Sequence, residues 1–195
     1  GGNYSTECVK PPFEWTYVND IVMIKDIHNR FGKIPLKTFP LCGMLKNRIY
    51  YRGFKGMKVV KPLDYVPYEQ EPALKLLEER FGYQRYKNKH YENIFTRWYE
   101  GYYLPVKFGY DKRRCYFSSL VLTGQMTREE ALREIAENPY DERQMTEDKE
   151  YIAKKLGISV EEMDRIIAGE NKTYRDYKNQ ENILNFFIHT AQKVG

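Results

Sequence analysis

The chain has 195 residues, and 32 lysines and arginines against 27 aspartates and glutamates give it a formal net charge of +5. Its content of 42% hydrophobic and 15% aromatic residues excludes general disorder, and a chain this long closes a core without disulfides or metal. No run approaches the roughly 18 apolar residues that span a bilayer, and three widely spaced cysteines match neither a disulfide framework nor a metal site, so we expect a cytoplasmic protein.

The first predicted elements are two helices. Apolar residues at helical spacing from Ile21 to Phe31 predict a helix over 20–31, which ends at Gly32 and has Asn19 or Asp20 as its cap. Prolines and glycines then interrupt the chain, so that only a short helix near 41–50 is predicted before residue 56.

A strand and a further helix follow. Met57–Lys61 is short, β-branched and bounded by Gly56 and Pro62, which predicts a buried strand. The next apolar pattern predicts a helix over 69–81 that ends at Gly82. Strand, loop and helix together would form half of a βα unit.

From Tyr83 onward the patterns indicate helices only. Two predicted capping boxes, Thr127–Glu130 and Ser159–Glu162, each open an amphipathic helix. A third helix is predicted to begin at Thr146 and to end at Leu156, and a last one covers about 179–191. We therefore predict two domains, an α/β part over 1–82 and a helical part over 83–195.

Charge is distributed unevenly along the helical part. Residues 80–114 contain nine basic and three acidic residues, a net charge of +6, whereas residues 127–170 contain seven basic and thirteen acidic residues, a net charge of −6. This asymmetry indicates an anionic ligand near the first segment and a solvent-facing or partner-facing surface on the second.

The basic segment contains the candidate site residues. The aromatic residues from Tyr91 to Tyr102 share one helical face and form either core or a stacking surface, while His90, Glu92, Thr96 and Arg97 are either surface residues or ligand contacts. The stretch from Lys107 to Arg114 is either a solvated charge run or a site for a pyrophosphate or for nucleic acid. No P-loop, Gly-x-Ser-x-Gly, Ser-x-x-Lys or His-x-x-Glu-His motif is present.

Several blocks, taken together and in this order, resemble the N-acetyl sugar amidotransferase family. The blocks are Gly2–Glu7, Lys61–Tyr65, Lys89–Glu92, Phe95–Arg97, Lys107–Arg113, Gly124–Leu132 and Lys154–Ser159. They cover most of the chain and are specific as a set.

The resemblance implies an ATP-dependent enzyme of lipopolysaccharide O-antigen and of pseudaminic or legionaminic acid biosynthesis. Such enzymes convert the N-acetyl group of a nucleotide-linked sugar to an acetamidino group, with ATP and Mg²⁺ as cofactors and with ammonia from glutaminase and cyclase-like subunits. The implied fold is an α/β HUP-like ATP-pyrophosphatase remnant with few strands that leads into a mainly α-helical C-terminal region. No membrane and no protein-bound metal are implied.

The family's Ser-Gly-Gly-x-Asp-Ser pyrophosphate loop is absent from the sequence. We therefore expect that the chain corresponds to the C-terminal half of the family and does not cleave ATP alone. The preceding half is expected to supply this loop.

The resemblance also implies roles for individual residues. The catalytic candidates are His90 and Glu92. The substrate-binding candidates are Thr96, Arg97, Lys107, Asp111, Lys112 and Arg113. The nucleotide-binding candidates, expected at strand ends, are Asn3, Thr6, Glu7, Lys61 and Asp64.

Two other interpretations remain open from the sequence. One is a nucleic-acid-binding module, or a tRNA-modifying relative of the ATP-pyrophosphatases, in which the +6 segment follows phosphates and its aromatic residues stack on bases. The other is an interaction domain whose acidic helices dock a partner.

Overall fold

The computed structural model describes residues 3–12, 20–183 and 185–186. Within these residues every regular element is helical, and the α-helices are numbered in chain order. They are α1 (Tyr4–Glu7), α2 (Ile21–Phe31), α3 (Gln70–Phe81), α4 (Ile94–Trp98), α5 (Leu104–Phe108), α6 (Arg113–Leu122), α7 (Arg128–Ala136), α8 (Glu142–Leu156) and α9 (Val160–Ala168).

Four further helical segments are not α-helices. Lys46–Phe54 and Tyr99–Tyr103 are π-helical, and the latter joins α4 directly to α5. Short 3₁₀ turns cover Pro62–Asp64 and Tyr174–Asp176. Residues 181–183 and 185–186 are also helical, whereas most of the predicted last helix lies outside the described residues.

The predicted α/β HUP-like fold is wrong, because the described residues contain no strand and no sheet. The segment 57–61 is not paired with another segment, and the side chains of Val59 and Val60 are 64% and 62% exposed. A strand satisfies its backbone groups by pairing with a second strand, and the sequence offers no second segment of this type. The segment 57–61 therefore has no strand to pair with in the described residues.

Predicted helix ends agree with the structure where a side chain or a glycine sets them. Asp20 caps α2 by accepting from Val22 N–H and Met23 N–H, and Thr127 and Glu130 form the predicted capping box of α7. The predicted start of α8 at Thr146 is wrong. Asp141, five residues before the predicted start, caps this helix by accepting from Gln144 N–H, and Gly157 ends it in the left-handed conformation.

The described residues divide into two compact units. In the first, formed by the described residues of Gly1–Pro11 and Lys61–Asn171, an apolar cluster joins α4 and the π-helical turn to α8 and α9 around Trp98, Ile152 and Met163. A second cluster packs α6 against α7 through Phe117, Leu120 and Ala131. The domain boundary predicted after residue 82 stays a prediction.

In the second unit, polar side chains of α2 hold the chain that follows Lys172. Asp26 accepts a hydrogen bond from Lys178 N–H at 3.0 Å, and Asp20 accepts one from Gln180 N–H at 2.6 Å. Arg30 forms a 2.7 Å ion pair with Asp26 and donates to the carbonyl oxygen of Asp176. The packing of this unit therefore rests on buried carboxylates that accept backbone N–H groups.

No helix within the described ranges is both long enough and apolar enough to cross a membrane.

Candidate functional site

A cleft of about 300 Å³ opens in the first unit between α1, the turn 88–90 and α6. Its charged lining consists of Lys10, Lys89, Lys112 and Arg113 with Glu7 and Glu100. The lining therefore has four cationic groups against two carboxylates. An excess of positive charge in a concave site favours an anionic ligand.

One local and two long-range hydrogen bonds fix α1 and the residues after it at the wall of this cleft. The buried Asn3 side chain caps the helix by accepting from Thr6 N–H at 2.9 Å, and Asp64 accepts from Tyr4 N–H at 2.6 Å. After the helix, Val9 N–H donates to the fully buried Ser119 hydroxyl at 3.0 Å. These contacts position Thr6 and the following residues toward α6.

The ion pair between Glu7 and Lys89 joins α1 to the turn 88–90. The Lys89 ammonium lies 5.4 Å from the centroid of the Tyr116 ring, within cation–π range. The hydrogen bond from Lys89 lowers the pKa of Glu7 below its ordinary value of 4.5, against the opposing effect of burial. Glu7 is therefore held as a carboxylate, and Lys89 lies over an aromatic face in the cleft.

Lys112 and Arg113 are neighbours in sequence but differ in their surroundings. Lys112 pairs with Glu100 and keeps a side chain that is 48% exposed, so its ammonium is accessible in the cleft. Arg113 is 12% exposed, pairs with Asp111 at 2.8 Å and donates to the carbonyl oxygens of Glu134 and Ile135 at the end of α7. A cation at a helix C-terminus stabilises that helix, so most of the donors of Arg113 are used within the fold.

His90 lies at the rim of the cleft in a strained backbone conformation. Its φ of +68° is the one positive φ of a non-glycine residue in the described part of the chain. Its Nδ1 atom lies 3.7 Å from Glu92 Oε1, and both side chains are about half exposed, at 48% and 52%. A residue held in the left-handed region costs about 1–3 kcal/mol, and such outliers cluster at ligand-binding and catalytic sites.

Gly101 allows the side chain of Tyr91, the residue after His90, to pack against the π-helical turn Tyr99–Tyr103. The Tyr91 side chain is buried, and a Cβ at position 101 would lie 2.6 Å from its hydroxyl oxygen. Only glycine allows this close approach of the π-helical turn to the Tyr91 ring. The same turn carries Glu100 into the cleft, and π-helical turns occur frequently at functional sites.

Four of the six predicted substrate-binding residues do not line the cleft, and one of them, Asp111, is instead the ion-pair partner of Arg113. Thr96 N–H donates to the Asn93 side chain that caps α4. Arg97 forms a buried bidentate pair with Asp148 at 2.7 and 2.9 Å. Lys107 donates to the carbonyl oxygens of Ile166, Ile167 and Gly169 at the end of α9.

The predicted nucleotide-binding residues also separate into two groups. Thr6 and Glu7 line the cleft, whereas Asn3 and Asp64 serve as caps of α1. Lys61 precedes the 3₁₀ turn Pro62–Asp64 and does not line the cleft. None of these residues lies at a strand end, because the described residues contain no strand.

Several cleft residues were not predicted from the sequence. Lys10 and Glu100 add charge to the lining, and the Tyr110 hydroxyl lies 3.3 Å from Cys115 Sγ. Burial and the contact with Cys115 raise the pKa of Tyr110. The local sequence contains no motif that singles out these positions, although Lys89 adjoins the predicted His90.

The cleft suits a diphosphate better than it suits a protein-held metal ion. Lysine and arginine side chains bind phosphate oxygens, and a volume of about 300 Å³ accepts one small ligand. Within the residues that the structure describes, no group of three or more His, Cys, Asp or Glu side chains could hold a metal ion. We therefore assign no Mg²⁺ ligand to these residues.

A comparison with models of protein families gives a match. The family model described as "LPS biosynthesis protein WbpG-like, C-terminal domain" matches residues 92–192, which is just over half of the chain. The match includes α4 to α9 and the cleft residues from Glu100 to Ser119, whereas α1 and His90 precede it. No curated protein and no solved structure matches the chain.

Proposed function

The chain belongs to the family of WbpG-like LPS biosynthesis proteins, and from this premise we propose that it binds a nucleotide-linked N-acetyl sugar for conversion to an acetamidino sugar. The observation that carries the proposal is the cleft, in which four cationic side chains lie beside a strained histidine. The reaction would replace the carbonyl oxygen of the N-acetyl group by nitrogen from ammonia.

In this proposal the cations of the cleft hold the phosphate groups of the substrate, which are a diphosphate in a UDP-linked sugar and a single phosphate in a CMP-linked sugar. Of the cleft cations in ion pairs, Lys112 has the most exposed side chain, and Lys10 and Lys89 line the same cleft. The paired carboxylates Glu7 and Glu100 orient Lys89 and Lys112 before the ligand arrives. Such preorganisation lowers the entropic cost of binding a charged group.

His90 is the candidate for proton transfer. A nitrogen that attacks the acetamido carbon must lose a proton, and histidine is the side chain most often used for this task near neutral pH. The Glu92 carboxylate lies on the Nδ1 side of the imidazole at 3.7 Å, so Nε2 is the nitrogen that we assign to the substrate. The strained backbone supports this role because strain at a site is retained where it positions a functional group.

ATP, Mg²⁺ and an ammonia-supplying glutaminase and cyclase-like pair belong to the proposal through the family resemblance described above. ATP would activate the acetamido oxygen as a leaving group when it is bound. Because the cleft accepts one small ligand, we assign neither ATP nor Mg²⁺ to it and derive no step through them.

Binding is tested by calorimetric titration of the chain with UDP-N-acetylglucosamine and CMP-N-acetylneuraminate. We expect one of them to bind and Lys112→Ala to weaken that binding about tenfold, as expected for a lost charge-assisted phosphate contact. Lys155→Ala removes an exposed cation outside the cleft and serves as the matched control. Equal affinities of the two variants would contradict the assignment of Lys112.

Catalysis is tested with the full gene product that contains this sequence. With ATP, Mg²⁺ and ammonium chloride we expect an acetamidino sugar, identified by mass spectrometry as a product in which NH replaces oxygen. His90→Ala should reduce the rate far more than it reduces substrate affinity, because the imidazole is assigned to proton transfer. Absence of the product with every sugar that binds would overturn the amidotransferase assignment.

A further inference from the structure

A second cavity of about 830 Å³ lies on the other side of the turn 88–90 in the same unit. It is formed by α3, the loop 83–87, α6, Met126 before α7 and Glu134 near the end of α7. Asn88, Lys89, His90 and Tyr116 line both this groove and the cleft. The turn that carries the strained His90 therefore forms a ridge between two cavities.

The groove differs from the cleft in charge. Its lining contains three cations, Arg85, Lys87 and Lys89, against three carboxylates, which are those of Glu71, Glu92 and Glu134. Arg85 pairs directly with Glu71 at 2.8 Å. The groove thus lacks the cationic excess that makes the cleft suitable for phosphate.

The groove is instead lined with aromatic rings. Tyr83 and Tyr86 are 41% and 48% exposed, so their rings are accessible to a ligand, and Tyr116 and Phe117 form the floor. Tyr116 is fixed there by a hydrogen bond between its hydroxyl and Gln70 Oε1. Accessible rings beside carboxylates and amides match a ligand that has apolar C–H faces and many hydroxyl groups.

We propose that this groove binds the sugar ring of the nucleotide-linked substrate, with its C–H face on Tyr86 and Tyr83. This inference rests on the proposed function, and it adds a sugar site to the phosphate-binding cleft. Hydroxyl groups of the sugar donate to Glu92 and Glu134, and His90 on the ridge lies between the sugar site and the diphosphate site. The arrangement brings the substituents of the sugar next to the imidazole.

The test compares each nucleotide sugar with its nucleotide alone, namely UDP-N-acetylglucosamine with UDP and CMP-N-acetylneuraminate with CMP. Tyr86→Ala should weaken the affinity for the nucleotide sugar that binds about tenfold, since a lost ring contact is worth up to about 1.5 kcal/mol. The affinity for the free nucleotide should fall less than about twofold. Tyr86→Phe keeps the ring and should retain the affinity of the unmodified chain.

Tyr151→Ala is the matched control, because Tyr151 is 46% exposed on α8 and lines neither cavity. Tyr83→Ala is the second groove variant, and circular dichroism verifies the fold of each protein. Unchanged affinity for the nucleotide sugar in both groove variants, with normal binding by the unmodified chain, would overturn the sugar site alone. Failure of the unmodified chain to bind any probe would overturn the proposed function, and the sugar site with it.

Discussion

At His90 the positive φ affects the stability of the fold, whereas the imidazole is assigned to the reaction, so substitutions can separate the two effects. An L-residue in this region costs about 1–2 kcal/mol relative to glycine, which adopts it without a Cβ clash. The fold therefore maintains an unfavourable residue at the ridge between cleft and groove. The strain at this position supports the proposal that the imidazole acts in the site.

We expect His90→Gly to be more stable than His90→Ala by about 1 kcal/mol, because glycine relieves the strain that alanine keeps. Both variants should lose the reaction equally, because both lack the imidazole. Urea unfolding followed by circular dichroism measures the stabilities. At Gln84, an exposed loop residue without a positive φ, the order should reverse and alanine should be the more stable. The same order at both positions would contradict strain at His90.

At the scale of elements, the helix α4 is attached to α8 by a buried polar network. Arg97 and Asp148 have side chains that are 16% and 9% exposed, and the Tyr140 hydroxyl donates to the same carboxylate. The bidentate contact with Asp148 raises the pKa of Arg97 further, so this guanidinium remains charged. A substrate contact by Arg97 would need the side chain to leave this partner.

Asp148→Ala should therefore lower the free energy of unfolding by about 3 kcal/mol, because it leaves a buried guanidinium without its carboxylate. Glu147→Ala on the same helix removes an exposed pair with Arg143 and should cost less than about 0.5 kcal/mol. Urea unfolding measures both. Replacing Arg97 and Asp148 together by leucine should recover part of the loss. Equal costs for the two alanine variants would show that the buried pair does not stabilise the fold.

Helix ends were predictable where a nearby residue determines them. The Asp20 cap, the Thr127 capping box and the left-handed Gly157 are local devices that can be recognised within a few positions. The 57–61 segment was mispredicted because a strand depends on a distant partner that no local pattern reveals. The π-helical turn at Tyr99–Tyr103 also has no sequence signature, although it places Glu100 in the cleft.

The candidate site was predictable in part for the same reason. The density of charged and aromatic residues around His90 and Lys112 predicts a ligand site, and both residues line the cleft. The same density predicts ligand contacts for Arg97 and Lys107, yet their partners lie 51 and about 60 positions away. Composition shows where cations are concentrated, but tertiary contacts decide which of them stay accessible to a ligand.

At the scale of the whole molecule, the two oppositely charged segments interact within the first unit. Lys87 pairs with Glu137, Arg97 pairs with Asp148, and Arg113 donates to the end of α7. The basic segment therefore satisfies much of its charge inside the fold. A nucleic-acid interface would instead need a row of accessible cations along one surface.

This difference predicts a weak salt dependence of ligand binding. A diphosphate held by a few lysines should lose about fivefold or less in affinity between about 50 and 200 mM salt, whereas a protein with 6–10 phosphate contacts loses about 10³-fold or more. Titrations with the nucleotide sugar that binds and with poly(U) at both salt concentrations make the comparison. We expect no tight poly(U) binding, and Lys112→Ala should make the salt dependence of sugar-nucleotide binding weaker still. Tight poly(U) binding that falls steeply with salt, and that the nucleotide sugar does not displace, would favour the nucleic-acid interpretation instead.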